Sequence, residues 1–183
     1  MQRTWTDRRK RIVVESLFFL LLCVIILIDQ ITKYHFSSML AEGESQVVID
    51  GFFYFSHYRN EGGAWSIMSN VSWAQTFFKI LTVFAVIGFV VFYIYALKKN
   101  YRWLKVSLVF VIAGTIGNFI DRILFNEVID FLGFIFWGYY FPVFNIADSF
   151  LVVGTIMIVL HFLFFDKDAI FRKKDANKEV SDK

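Results

Sequence analysis

Proline occurs once, cysteine once and histidine three times in the 183-residue chain, and each scarcity removes a class of protein. A lone Cys23 excludes an internal disulfide framework and a cysteine-rich zinc site; inside the run FFLLLCVIIL it reads as an inert, lipid-buried thiol. His35, His57 and His161 are too scattered for a histidine metal centre, so no metal is expected, nor any cofactor. No G-x-S-x-G, H-E-x-x-H or P-loop is present, which leaves the corresponding hydrolase and nucleotide chemistries without their residues. With Pro142 as the one helix breaker of its kind, long stretches can run as uninterrupted helix. The formal net charge of +3 matters less than where the charges sit, and no nucleic-acid partner is expected.

What the chain has in abundance is apolar surface. It is 57% hydrophobic and 20% aromatic, with 24 phenylalanines and a mean hydropathy of +0.56. A soluble domain carries about 45–50% apolar residues, so this is an integral membrane protein. A bilayer core needs roughly 20 apolar residues per helix, and four stretches qualify, at about 12–34, 74–97, 103–124 and 144–165. The first follows Arg8, Arg9, Lys10 and Arg11 as a secretory signal would, but it has no small-x-small cleavage site and continues into IDQITKY; an uncleaved first span is expected.

Basic residues set the orientation. They crowd the N-terminal segment, the connection around 98–105 (Lys98, Lys99, Arg102, Lys105) and the tail after Phe165. The 35–73 segment has only Arg59, and 125–143 has no Lys or Arg. The excess of positive charge on cytoplasmic segments then predicts both termini inside and the two longer loops outside. Gln46 to Arg59, QVVIDGFFYFSHYR, is β-branched and aromatic and reads as one or two strands leading into the turn NEGGAW. The second outer loop, NEVIDFLGFIFWGYYF, is apolar and aromatic, and Trp137, Tyr139 and Tyr140 suit the headgroup zone. Residues 166–183 read as a polar cytoplasmic tail, with some attraction to anionic lipid.

Ionisable groups in a membrane are expensive unless paired or hydrated, which makes each a candidate for function. Asp29 and Lys33, four apart on the first span, share a helix face and can pair. Gly114, Gly117, Asn118 and Asp121 form one stripe on the third span, small enough in part for another helix to approach. Asn145 and Asp148 open the fourth span just after Pro142. Given the orientation, all of these, with Arg122 and Asp130, gather at the outer leaflet. Structural readings stand beside the functional ones: Asp29–Lys33 as an ion pair, Asp121 and Arg122 as clamps, Asn118 and Asn145 as bonds between helices. Asp130 and Asp148 differ, because neither has a local cationic partner and both lie in apolar sequence. Two carboxyls held close cannot both ionise easily, so they share a proton. One then draws a proton from water while the other donates to a carbonyl oxygen, the aspartic-protease arrangement. A proton or cation relay in a small transporter is a second reading, disfavoured because relays thread the bilayer midplane. A non-catalytic membrane assembly factor is a third, which leaves the two aspartates unexplained.

The same residues carry a likeness. DQITKY at Asp29, RNEGGAWSI at Arg59, GTIGNFIDR, EVIDF and FPVFNIADS resemble, in order and spacing, the blocks of lipoprotein signal peptidase (signal peptidase II), the bacterial membrane aspartyl peptidase family. The likeness covers roughly residues 12 to 165. It implies four membrane helices with a small extracytoplasmic β-cradle at about 46–66, in a single peptidase domain over 1–165, and a segment at 125–143 crossing over the site. It implies Asp130 and Asp148 as the catalytic pair. Asn60 and Gly62 would position substrate, and Asn118, Arg122 and Asn145 would line the pocket, with Asp29, Lys33 and Asp121 in support. Arg122 would donate to substrate carbonyls, and Asp121 would orient Arg122 or tie its helix to a neighbour. The implied substrate is a prolipoprotein whose lipobox cysteine bears diacylglycerol, cut just before that cysteine by a monomeric enzyme of the cell inner membrane. Membrane lipid would be its other partner. Gly63 and Trp65 depart from the family's usual alanine and phenylalanine. The chain is not read as a lipoprotein itself, since Leu22 before Cys23 is not small.

Overall fold

The computed structural model describes residues 5–62, 68, 71 and 73–165. Four long helices carry the fold: α1 (Trp5–Met39), α2 (Ala74–Lys99), α3 (Arg102–Phe125) and α4 (Ile146–Leu160), the last continued by a π-helical turn at His161–Phe165. All four are long and apolar enough to cross a membrane. Their outward faces hold residues such as Phe19, Leu27, Phe84, Val91 and Ile156, each more than half exposed. Such faces need lipid rather than water around them. α1 begins before and ends after the expected span, reaching Met39. The fourth span starts as helix only at Ile146, because Asn145 is its cap.

Asparagine takes the place of glycine at the helix ends. Asn100 (φ 58°) closes α2 with its N–H on the Ala96 and Leu97 carbonyls, and Asn126 (φ 62°) closes α3 with its N–H on the Arg122 carbonyl. Its short side chain makes asparagine tolerant of this left-handed region. Only Asn100 and Tyr101 separate α2 from α3, so the two form a tight hairpin.

Between the helices the chain builds a four-stranded antiparallel sheet in the order β1 (Ser45–Ile49), β2 (Phe53–Asn60), β3 (Val128–Phe136), β4 (Tyr139–Tyr140). This corrects the expected cradle. It is not made of 46–66 alone, and 125–143 does not simply cross over the site: its first half is β3, paired with β2 from Phe53↔Phe134 to Asn60↔Val128. The physical reason lies in the β-branched and aromatic bulk of VIDFLGFIF, which finds an open edge on β2. A register shift between Phe55 and Tyr58 sets Ser56 and His57 against Phe131 alone, a β-bulge next to Asp130. Residues 63–67, which include Gly63 and Trp65, lie outside the described residues, as does the 166–183 tail.

Phenylalanine fastens this sheet to the helices. The Phe36 ring near the end of α1 lies 4.3 Å from Phe55 and 4.6 Å from Phe131. Phe134 in turn stacks on Phe136 and Phe144. Offset rings at such distances add about 0.5–1.5 kcal/mol per pair beyond their burial. Part of the high phenylalanine content therefore serves the sheet rather than the lipid face.

α3 is the central helix, and α1, α2 and α4 pack against it. Glycines let the backbones approach. A Cβ on Gly117 would stand 2.6 Å from Asp29 Oδ2 and 3.1 Å from the Ala147 Cβ, and one on Gly114 would collide with the Ala147 carbonyl. α2 and the end of the fourth span meet near Asn100, where Phe92 and Phe162 stack at 5.8 Å. Towards their other ends they flank a cavity.

One ion cluster ties α1 to α3. Lys33 Nζ lies 2.8 Å from Asp29 Oδ2 and 2.9 Å from Asp121 Oδ2, and donates to Asn118 Oδ1 at 2.9 Å. Asp29, Lys33 and Asp121 are at most 1% exposed. Breaking a buried ion group by removing one member leaves uncompensated charge and costs about 3–5 kcal/mol. Lys33→Met is therefore expected to lower the thermal midpoint of the detergent-solubilised protein sharply. The triple variant Asp29→Asn, Lys33→Met, Asp121→Asn should recover much of that loss. A midpoint unchanged by Lys33→Met alone would show that the cluster does not hold the helices.

Candidate active site

The start of β3 and the start of α4 bring two carboxyl groups to one cavity. Asp130 is the third residue of β3, and Asp148 sits in the first turn of α4. Asn145 links them. Its side-chain oxygen accepts from the Asp148 N–H at 2.9 Å, while its own N–H donates to Asp148 Oδ2 at 3.2 Å, a reciprocal cap of the helix. Its amide Nδ2 donates to Asp130 Oδ1 at 2.7 Å and also reaches Asn118 Oδ1 and the Ile129 carbonyl. One asparagine thus fixes both carboxylates while opening a helix.

The remaining carboxylate oxygens are held by two more amides. Asn118 Nδ2 donates to Asp148 Oδ1 at 2.7 Å, and Asn60 Nδ2 donates to Asp130 Oδ2 at 3.1 Å. Among the described residues neither Asp130 nor Asp148 belongs to an ion pair. Burial, and next the negative charge of Asp148, push the Asp130 carboxyl up to about 7 from the ordinary carboxylate value; the bonds from Asn60 and Asn145 and the charge of Lys33 oppose this. Asp130 therefore holds a proton near neutrality far more readily than an exposed aspartate.

The cavity has a volume of about 630 Å³, and Asn60, Asn118, Arg122, Asp130 and Asp148 form its polar end. Thr82 of α2, Thr115 of α3 and the apolar Leu151 to Val153 of α4 also line it. Val152 is 58% and Val153 46% exposed, so this wall continues onto the lipid-facing surface. Arg122 lies over the Phe78 ring at 5.3 Å and donates to the Gly62 carbonyl at 3.3 Å, while its buried Nε has no partner among the described residues. Asn60 also accepts from the Gly62 N–H at 2.9 Å, bending the chain after β2.

The ten expected site residues separate into two shells. Asp130, Asp148, Asn60, Asn118 and Arg122 reach the cavity, with Asn145 behind the two carboxylates and Gly62 against Arg122. Asp29, Lys33 and Asp121 stand behind them, joined to the first group through Asn118. The tie expected of Asp121 is present as its ion pair with Lys33. Its other bonds run to Gln30 and Ile129 rather than to Arg122. Gln30, Thr82, Thr115 and Ser149 were not expected. A hydroxyl or amide inside an apolar span is a weak signal, because Thr82 and Thr115 also bond their own helix carbonyls.

The chain has clear likenesses among known proteins. A family model described as signal peptidase (SPase) II matches residues 21–164. A lipoprotein signal peptidase of Listeria welshimeri is 39% identical over 150 residues, covering 82% of this chain and 95% of the relative. One from Bacillus velezensis is 41% identical over 148 residues, covering 81% and 94%. Two solved structures described as a bacterial membrane enzyme, obtained by the in meso method at 2.3 and 1.9 Å resolution, each align with a TM-score of 0.71 at 37% identity. They cover 81% and 82% of this chain, and 88% and 95% of their own. With four apolar helices, a small antiparallel sheet and the matched blocks from the first span to the last, the chain is a multi-pass bacterial membrane protein and belongs to the signal peptidase II family.

Proposed function

We propose that the chain is an aspartic endopeptidase that removes signal peptides from diacylglyceryl-modified prolipoproteins, cutting just before the lipidated cysteine, with Asp130 and Asp148 as its catalytic pair. The observation that carries this reading is the pair itself: the buried Asp130 carboxyl and the half-buried Asp148 carboxyl face one cavity, held by amides rather than by cations. Amide donors orient a carboxylate without locking it into an ion pair, so the two can exchange a proton with each other and with a substrate.

In the proposed reaction one carboxylate takes a proton from a water molecule as that water's oxygen attacks the scissile carbonyl carbon. Its protonated partner donates to the carbonyl oxygen. As the tetrahedral diol collapses and the C–N bond breaks, the leaving nitrogen takes the proton from the carboxyl that deprotonated the water, and one diol hydroxyl returns its proton to the other carboxylate, leaving the amine, the product acid and a singly protonated pair. Arg122, with its buried Nε, is suited to donate to a substrate backbone carbonyl. The apolar wall of Leu151, Val152 and Val153 offers a route from the lipid into the cavity between α2 and α4. Positive charge at the N-terminal segment and the α2–α3 connection supports both termini in the cytoplasm, with the site near the outer leaflet. A single copy carries every residue of the proposed site, in one peptidase unit over 1–165, which supports action as a monomer.

Asp130→Asn and Asp148→Asn are each expected to lower kcat for cleavage of a diacylglyceryl prolipoprotein by about 10²–10⁴-fold, with the protein still inserted and folded. Near wild-type cleavage by either purified variant contradicts the assignment. The pH profile gives a second check. With the Asp130 carboxyl raised to about 7, the shared proton is present below that pH and lost above it. Activity should therefore fall on the alkaline side with an apparent pKa near 7 belonging to the pair, and fall again in acid as the second carboxylate takes a proton. A profile flat from acid to neutral pH and beyond would exclude a shared-proton mechanism.

A further inference from the structure

One edge of β3 pairs with β2, but along the first residues of β3 the other edge meets side chains and a loop instead of a strand. Asp121 Oδ2 accepts from the Ile129 N–H at 3.2 Å, and Asn145 Nδ2 donates to the Ile129 carbonyl at 3.3 Å. Two residues further, the Phe131 N–H donates to the Phe144 carbonyl at 3.1 Å. Asp130 hangs between these two fixed points. The other oxygen of Asp121, Oδ1, accepts from Gln30 Nε2 at 3.0 Å, and the same amide reaches the Gly117 carbonyl at 3.1 Å and Asp29 Oδ2 at 3.2 Å.

We propose that Gln30 and Asp121 are positioning residues for Asp130: Gln30 on α1 fixes the Asp121 carboxylate on α3, which clamps the Ile129 amide and so sets where the Asp130 carboxyl stands. Two features separate this from helix packing alone. The ion pair of Asp121 with Lys33 uses Oδ2 and does not need Gln30. Gln30 is uncharged and only half-buried, so removing its amide leaves every charge of the ion cluster in place. Its bonds run to Asp29, Gly117 and Asp121, behind the cavity, and the one to Asp121 leads on to the Ile129 amide beside Asp130. A carboxyl displaced by about 1 Å from its productive position loses up to about 10²-fold in rate. The inference rests on the reading of Asp130 as a catalytic carboxyl.

The test uses the full chain, purified in bicelles and given a diacylglyceryl prolipoprotein. Gln30→Met is expected to lower kcat by about tenfold while KM stays within about twofold, since the pocket surface is untouched. Amide exchange should quicken at Ile129 and Asp130 but not along α1 or α3. Asp121→Asn, which keeps an oxygen for the Ile129 N–H, should retain more kcat than Asp121→Leu. A wild-type kcat for Gln30→Met, a loss confined to KM, or unchanged exchange at Ile129 overturns the clamp. Asp130→Asn in the same assay separates the two ideas. If it cleaves normally, the catalytic reading fails; if it is dead while Gln30→Met is fully active, only the clamp fails.

Discussion

The buried Lys33 ammonium is the point on which the rest of the structure depends. Its three contacts are one carboxylate on its own helix, one carboxylate on α3 and the Asn118 amide oxygen. In a membrane these groups cannot fall back on water, so the cluster is stable only while the helices stay in register. Gly117 makes that register possible, because any side chain there would strike Asp29. Asp29 in turn accepts from the Ala147 N–H at 2.8 Å, bringing the start of α4 into the same cluster. One lysine therefore organises three helices around a single depth.

From that depth the order passes outward as a series of amides. Asn118, held by Lys33 on one side, donates to Asp148 on the other. Asn145, held by Asn118, donates to Asp130. Asn60 arrives from β2, and it can do so only because the bulge at Ser56 and His57 sets the β2–β3 register beyond it. The Lys33 ammonium thus stays behind the cavity, paired with Asp29 and Asp121. The cavity receives neutral amide donors, the two carboxyl groups and one arginine. An ion pair on either catalytic candidate would have tied up the carboxylate that the proposed chemistry needs free.

Much of this was legible in the sequence because membrane burial makes polar residues conspicuous. The Asp29–Lys33 spacing, the Gly114–Asp121 stripe and the Asn145–Asp148 helix start each follow from helical geometry, and the structure contains all three. Four spans followed from hydropathy alone. Strand pairing was not legible: β-propensity marked 46–59, but nothing local says that VIDFLGFIF pairs with it from 70 residues away. Gln30 escaped notice for the opposite reason, since an amide beside an aspartate on a long helix looks ordinary until Asp121 is found opposite it. The phenylalanines looked like lipid-facing bulk, and only the stack of Phe36 on Phe55 and Phe131 gives some of them a second task.

The most direct measurement of the central claim is mass spectrometry of the products when the purified protein meets one prolipoprotein in two forms, with and without diacylglycerol on the lipobox cysteine. A single cut before the cysteine is expected in the lipidated form, and little or none in the unmodified form. Cleavage of the unmodified form alone, or a cut elsewhere in the lipidated one, would contradict it.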